Sequence, residues 1–411
     1  MELKELLLWV IASILVLNYL LSMSLSILNL LNLSEKQPDE LKQFYDEERY
    51  RKSQQYEREK SRFGMLSETV MFIISFFFLI YGGYGWLDGW THGITTDLLW
   101  STLLFFGIFA LFSDLISIPF SLYSTFVIEA RFGFNKTTFA VFISDRIKGY
   151  FLAGALGGSL LALFVLFYQY TGSDFWIYML VVFAFFMVLL NMFYTSLILP
   201  MFNKLTPLAD GEVRTAIENY CQKNKFEITN LYVMDGSRRS SKANAFFSGL
   251  GKKKKIVLFD TLVNNYSKDE LVAVLAHEVG HYKKKHTLFS MIFSILQTAL
   301  MLWLLSVFIN NEWFSLALGG TDYSLALSLI AFTLLYSPLS LITGILMNIY
   351  SRKNEFEADN FARVTFSAEA LASALKKLSS DSLSNLTPHP MYVFFYYSHP
   401  PLLQRLKALQ V

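Results

Sequence analysis

Met71-Phe72-Ile73-Ile74-Ser75-Phe76-Phe77-Phe78 lies inside an apolar stretch, about 65–87, long enough to cross a bilayer as a helix. Apolar blocks at 6–32, 97–127, 149–170, 175–201, 287–310 and 325–350 have the same character. Of the 411 residues 54% are hydrophobic and only 17% charged, with a mean hydropathy of +0.39, more apolar surface than a water-soluble core can hide. The first block is too long for a signal-peptide core and lacks a small-residue cleavage pattern, so it reads as a retained span. The expected fold class is an all-α polytopic membrane protein with seven long transmembrane helices.

Charge sets the expected orientation. The connections at 88–96, 171–175 and 311–324 contain no Lys or Arg, whereas 34–63, 129–148, 202–286 and 351–411 hold nearly all of them. The positive-inside rule then puts the N-terminus outside and these four regions in the cytoplasm. Residues 34–63 read as an exposed or docking helix and 129–148 as a loop. Pro119 is expected to tilt or kink the third span. The formal net charge of +2 gives no reason to expect nucleic acid. Cys221 is the single cysteine, which excludes an intramolecular disulfide and a thiolate metal cluster; it reads as a small buried residue.

Residues 202–286 form the one sizeable soluble stretch between spans. A helix is expected over 210–223 and strands over 231–234, 244–247 and 253–259. The lysines at 252–255 read as a solvated hairpin turn beside an anionic leaflet. Then comes Leu275-Ala276-His277-Glu278-Val279-Gly280-His281-Tyr282, an H-E-x-x-H match. On a helix His277 and His281 project from one face, close enough to share a metal, while Glu278 points to the adjacent side as a proton acceptor. Ser267-Lys268-Asp269-Glu270 reads as the helix start, with an N-cap followed by acids. A zinc hydrolase needs a third ligand. Glu355 follows span seven, and Asp359 one turn later suits a carboxylate that orients a ligating histidine. Taken alone, Glu355, Glu357 and Asp359 read more readily as a solvated helix face.

With Ser398-His399-Pro400-Pro401-Leu402-Leu403-Gln404-Arg405 added, these stretches closely resemble the signatures of the CAAX prenyl protease 1 family, integral-membrane zinc metallopeptidases that act on C-terminal C-a-a-X sequences of prenylated proteins. Phe132-Gly133-Phe134-Asn135-Lys136, Phe202-Asn203-Lys204 and Ser241-Lys242-Ala243-Asn244-Ala245-Phe246 extend the likeness over nearly the whole chain. The family commonly has Gln where this chain has Glu357. The resemblance implies one zinc held by His277, His281 and Glu355, with Glu278 as general base and acid and Asp359 behind a ligand. It implies His399 in catalysis and Asn244, Ala245 and Phe246 at the substrate backbone. It also implies seven helices around a water-filled intramembrane chamber, closed at the cytoplasmic end by a small α+β metalloprotease domain. A chamber would wet polar residues such as Asp114 and Asn191; helix–helix hydrogen bonding accounts for them equally well.

The expected division is 1–201 with five spans, 202–286 as the protease region, 287–350 with two spans, and 351–411 completing the site. His399 has an alternative role as part of a helix start, with Pro400 in the first turn. His286 and His389 are expected at the surface or interface, not as ligands. Expected partners are a peptide or prenylated protein substrate and membrane lipids. The ending Leu409-Gln410-Val411 offers no retrieval signal, which favours a prokaryotic cytoplasmic membrane, or the endoplasmic reticulum in a eukaryote. Two other functions stay open: a quality-control protease needing no prenyl group, and a transporter with a vestigial metal site.

Overall fold

The computed structural model describes residues 2–34, 36–37, 39–42, 45–228, 230–248 and 255–410. Lys252, Lys253 and Lys254 of the expected turn, and Val411, lie outside the described residues. Helix α1 spans Leu3–Leu31 and α2 Glu47–Ile80. The expected docking helix and second span are therefore one rod. Asp46 caps it by accepting from the Arg49 amide at 3.1 Å, and no proline interrupts it. It ends earlier than expected, at Gly82 (φ +69°), where a short helix α3 (Gly83–Ile94) begins. There the Gly85 amide donates to Leu318 at 3.0 Å, so close that an added Cβ would fall 2.1 Å from the Gly319 carbonyl oxygen.

Helix α4 (Leu98–Tyr123) carries Pro119 internally and runs on as a wider π turn, Ser124–Glu129. The expected loop at 129–148 is helical from Phe139 onward. Thr138 accepts from the Val141 amide at 3.3 Å and starts α5 (Phe139–Leu152), which leads through a second π turn into α6 (Ser159–Thr171). Asp114 on α4 is gripped by Arg146 on α5 at 2.6 and 2.8 Å, so helix pairing accounts for this polar residue. Helix α7 follows (Phe175–Phe193). Among the described residues, six helical stretches are long and apolar enough to cross a membrane, and one of them, Phe139–Phe202, is 64 residues long. It is a hairpin: Gly172 (φ +56°) opens a tight turn, and α6 lies on α7 through Phe164 against Phe175 and Phe167 against Tyr178.

Apart from short helical turns at Asp39–Lys42, Leu199–Phe202, Asp260–Asn265 and Glu312–Ala317, the other α-helices among the described residues are α8 (Glu212–Lys223), α9 (Lys268–Lys283), α10 (His286–Phe308), α11 (Leu325–Thr365), α12 (Ala368–Asp381), α13 (Pro390–Tyr396) and α14 (Leu402–Leu409). The long rods pack as a ring. Helix α1 lies on α2, α4 on α6, α6 on α7, α7 on α10, α10 on α11, and α11 back on α1. Phe63 against Phe120 and Tyr123 closes the step from α2 to α4. Side-chain hydrogen bonds fasten neighbours, including Asn18 to Ser337 at 2.8 Å and Gln297 to Thr343 at 2.8 Å. In the apolar windows of α2 and α4 only 6% of residues are buried, which fits rods with one face to lipid and one to a hollow rather than a solid bundle. That hollow consists of three adjoining cavities of about 580, 610 and 620 Å³. Ser22, Glu68 and Tyr396 line both the first and the second; Glu57, Lys60 and Tyr392 line both the second and the third.

At one end sits a four-stranded sheet of order β1-β2-β4-β3, with β1 Leu205–Pro207, β2 Asn230–Met234, β3 Ala245–Ser248 and β4 Lys255–Phe259. β2 and β4 are parallel and the flanking pairs antiparallel. The sequence reading lacks β1, whose three residues are too short to show alternation. One hydrophobic core joins residues from α8, β2, β4 and α9 to α12 and α14, from Leu208 to Leu409. Two clasps tie this body to the rods. Lys242 binds Glu129 at 3.0 Å and Tyr56 at 2.9 Å, and Asp235 accepts from the Lys204 amide at 2.8 Å and from Asn203 at 3.1 Å. After Asp381 the chain turns into a loop, in which Leu383 takes φ +50°.

Candidate metal centre and active site

Helix α9 is set by local chemistry and by packing. The Ser267 hydroxyl accepts from the Glu270 amide at 3.3 Å, and the Glu270 carboxylate accepts from the Ser267 amide at 2.8 Å. Leu271, Val272, Leu275, Ala276 and Val279 are buried in the shared core. Gly280 lets α9 cross α11 at close range; a Cβ there would lie 3.1 Å from the Ala358 Cα. That crossing brings Glu355 to the motif histidines. His277 Nε2 stands 3.1 Å from His281 Nε2, 3.4 Å from Glu355 Oε2, and Glu355 Oε1 is 3.3 Å from His281 Nε2.

These spacings fit zinc. Ligands about 2.0–2.1 Å from a tetrahedral ion are separated by roughly 3.3 Å. Two imidazole nitrogens facing each other beside a buried carboxylate are also an uneasy trio unless a cation joins them. Glu355 Oε2 is buried with no hydrogen-bond partner among the described residues, which leaves its lone pair for such an ion. His277, His281 and Glu355 thus make a complete three-ligand set.

Supporting groups flank the ligands. His277 Nδ1 meets Asp359 Oδ1 at 2.9 Å, and Asp359 is held by Arg405 through two bonds of 2.6 and 2.8 Å. Arg405 also approaches Glu355 Oε2 at 3.4 Å. Burial pulls the His277 pKa down, but Asp359 and Glu355 overcome this and hold it up at about 9. Burial raises Glu278 above the usual carboxylate range against the opposing pull of His277, His281 and His399. A carboxylate lifted in this way is a better proton acceptor.

His399 is exposed, with Nε2 3.2 Å from Glu355 Oε1 and Nδ1 3.0 Å from the Ser398 hydroxyl. It does not cap the helix that follows: α14 begins at Leu402 with Pro401 as its N-cap, so Pro400 lies outside the first turn. Asn244 lines the third cavity together with His399 and Arg405, and its Oδ1 accepts from the Ala245 amide at 2.8 Å. Ala245 and Phe246 lie on edge strand β3, their partly buried side chains packed against opposite faces of the sheet. His389 caps α13, accepting from the Met391 amide at 3.2 Å. Two residues near the ligands were not singled out by the sequence. Arg405 ends the Ser398–Arg405 stretch, where spacing alone assigns it no role. His286, expected at the surface or interface, is buried, and its Nδ1 is 3.0 Å from His281 Nδ1. It is still not a ligand. The reason is Lys285, whose φ of +60° turns the chain so that His286 folds beneath the motif helix.

Residues 26–204 match the family described as CAAX prenyl protease N-terminal, five membrane helices, and residues 207–411 match peptidase family M48. The chain is 38% identical to the CAAX prenyl protease 1 homolog of Arabidopsis thaliana over 372 residues, covering 88% of each protein. It is 35% identical to CAAX prenyl protease 1 of Saccharomyces cerevisiae over 402 residues, 91% of this chain and 88% of the yeast protein. It belongs to the CAAX prenyl protease 1 family. A crystal structure of S. mikatae Ste24p, 33% identical, matches the fold with a TM-score of 0.93 over 100% of both chains. As a member of the CAAX prenyl protease 1 family the chain is a zinc metallopeptidase and an integral membrane protein with several spans. This assignment sets aside the transporter reading. The two relatives named are eukaryotic, so they lend nothing to the expectation of a prokaryotic membrane.

Proposed function

We propose that this chain is an endoprotease that removes residues from the C-termini of prenylated, C-a-a-X-type proteins at the cytoplasmic face of a membrane. The observation that carries this reading is a cavity lined by Asn244 and His399, the latter 3.2 Å from Glu355 of the ligand triad, that continues between the membrane rods. A lipidated C-terminus has an apolar half and a peptide half, and such a cavity can take both. In this reading residues 202–286 and 351–411 form the protease unit, the rods cross the membrane seven times, and the N-terminus lies outside, as the Lys and Arg distribution suggests.

His277, His281 and Glu355 would hold the zinc, which when bound would supply Lewis acidity. Glu278 takes the proton of the water that attacks the peptide carbonyl, and later delivers it to the leaving amine. His399 donates to the oxyanion as it develops. The free edge of β3, beginning beside Asn244, aligns the substrate backbone by strand addition. Asp359 keeps His277 in the tautomer that presents Nε2 to the metal.

The test is cleavage of a farnesylated C-a-a-X peptide beside its unlipidated twin by the purified chain. Chelator-sensitive release of the last three residues, favouring the farnesylated peptide, supports the reading. Equal cleavage of both peptides would replace it with general membrane proteolysis, and no cleavage of either would overturn it.

A further inference from the structure

The two zinc histidines are backed in different ways. Behind His277 stands a carboxylate, Asp359, in direct contact. Behind His281 stands another imidazole: His281 Nδ1 lies 3.0 Å from His286 Nδ1, and His286 Nε2 lies 3.2 Å from Glu357 Oε2. The polarity of this chain of bonds is forced once His281 offers Nε2 to a metal. Its proton then sits on Nδ1 and must be donated to His286 Nδ1. His286 therefore carries its own proton on Nε2 and donates it to Glu357. Glu357 is partly exposed and its other oxygen is 3.9 Å from Lys353, which leaves Oε2 to His286.

Resting on the ligand assignment above, we propose that His286 and Glu357 are a positioning pair for the second zinc histidine. Glu357 fixes the tautomer of His286, and His286 fixes the tautomer and ring angle of His281, the part that Asp359 plays for His277. His286 is the first residue of α10 and Glu357 lies on α11, so the relay runs between two rods.

The experiment measures zinc affinity and zinc release to a competing chelator in the full-length chain in detergent, with the unfolding midpoint of the chelator-stripped protein recorded alongside. The variants are His281→Ala, His286→Phe, Glu357→Leu and Glu357→Gln. Loss of the relay is expected to weaken zinc by roughly 10–100-fold in His286→Phe and Glu357→Leu. Glu357→Gln keeps an acceptor oxygen for the same bond and should stay within about threefold of the parent. The stripped proteins should unfold alike, which a purely structural role would not give. Parent-like affinity in His286→Phe or Glu357→Leu would overturn the pairing, as would Glu357→Gln falling as far as Glu357→Leu. Parent-like zinc binding in His281→Ala would overturn the ligand assignment itself, a distinct failure. Should His286→Phe not fold, the two Glu357 variants, at a partly exposed position, decide alone.

Discussion

Arg405 lies 46 residues beyond Asp359 in the chain, yet it closes the metal centre by gripping that carboxylate through two bonds and approaching Glu355. Both carboxylates are buried. Arg405→Ala leaves them without their fixed cation, and breaking a buried pair in this way costs about 3–5 kcal/mol. Denaturant unfolding should show that loss, larger after chelation, when zinc no longer offsets the charge. Cys221 gives a second check at this scale. Burial pushes its thiol up to about 12, so thiol reagents at pH 8 should leave it unmodified in the folded chain and label it rapidly once the chain is unfolded. Prompt labelling of the native protein would contradict the packing described. His277, Glu278 and His281 were legible in the sequence because their geometry follows from helical spacing alone. Glu355 and Asp359 were legible as a pair one turn apart but ambiguous until a family signature was added. His286 was not legible, because its burial depends on Lys285 adopting a left-handed conformation that nothing about a lysine announces.

Gly280 shows how one position governs two elements. The α9–α11 crossing is tight enough that a methyl group there meets the Ala358 Cα and the Phe361 Cβ at 3.1 Å. Gly280→Ala should push α11 outward by a few tenths of an ångström, part Glu355 from the histidines, and lower both zinc affinity and turnover by about tenfold while the chain still folds. Titration with a competing chelator measures the first and peptide cleavage the second. Element boundaries were the least readable feature of the sequence. A charged stretch and an apolar one both favour helix when no proline separates them, and the single Gly64 at their junction is tolerated, so 47–80 forms a single rod where a docking helix and a span were expected. The helical start at Phe139 was hidden for the same reason, since charged residues in 139–148 looked like a loop between spans. Strand β1 exists only because β2 is there to pair with it.

The whole molecule is a ring of rods with a hollow interior and a protease body at one end. The presence and positions of the apolar blocks were readable from composition. The hollow was not, because a lipid-facing and a cavity-facing residue can be equally apolar; only the family resemblance suggested it. Orientation is testable on a Cys221→Ala background, where a new cysteine is the single thiol. Asp322→Cys should react with a membrane-impermeant reagent applied from outside, and Arg131→Cys only after permeabilisation. The reverse pattern would invert the proposed topology. The central claim is that Glu278 moves protons for a zinc held by His277, His281 and Glu355. Its most direct test compares metal content and peptide turnover in the parent and in Glu278→Ala. The account predicts one zinc per chain in both, with turnover in the variant lower by about a hundredfold to ten-thousandfold. A variant that keeps its zinc and cleaves at the parental rate would contradict it.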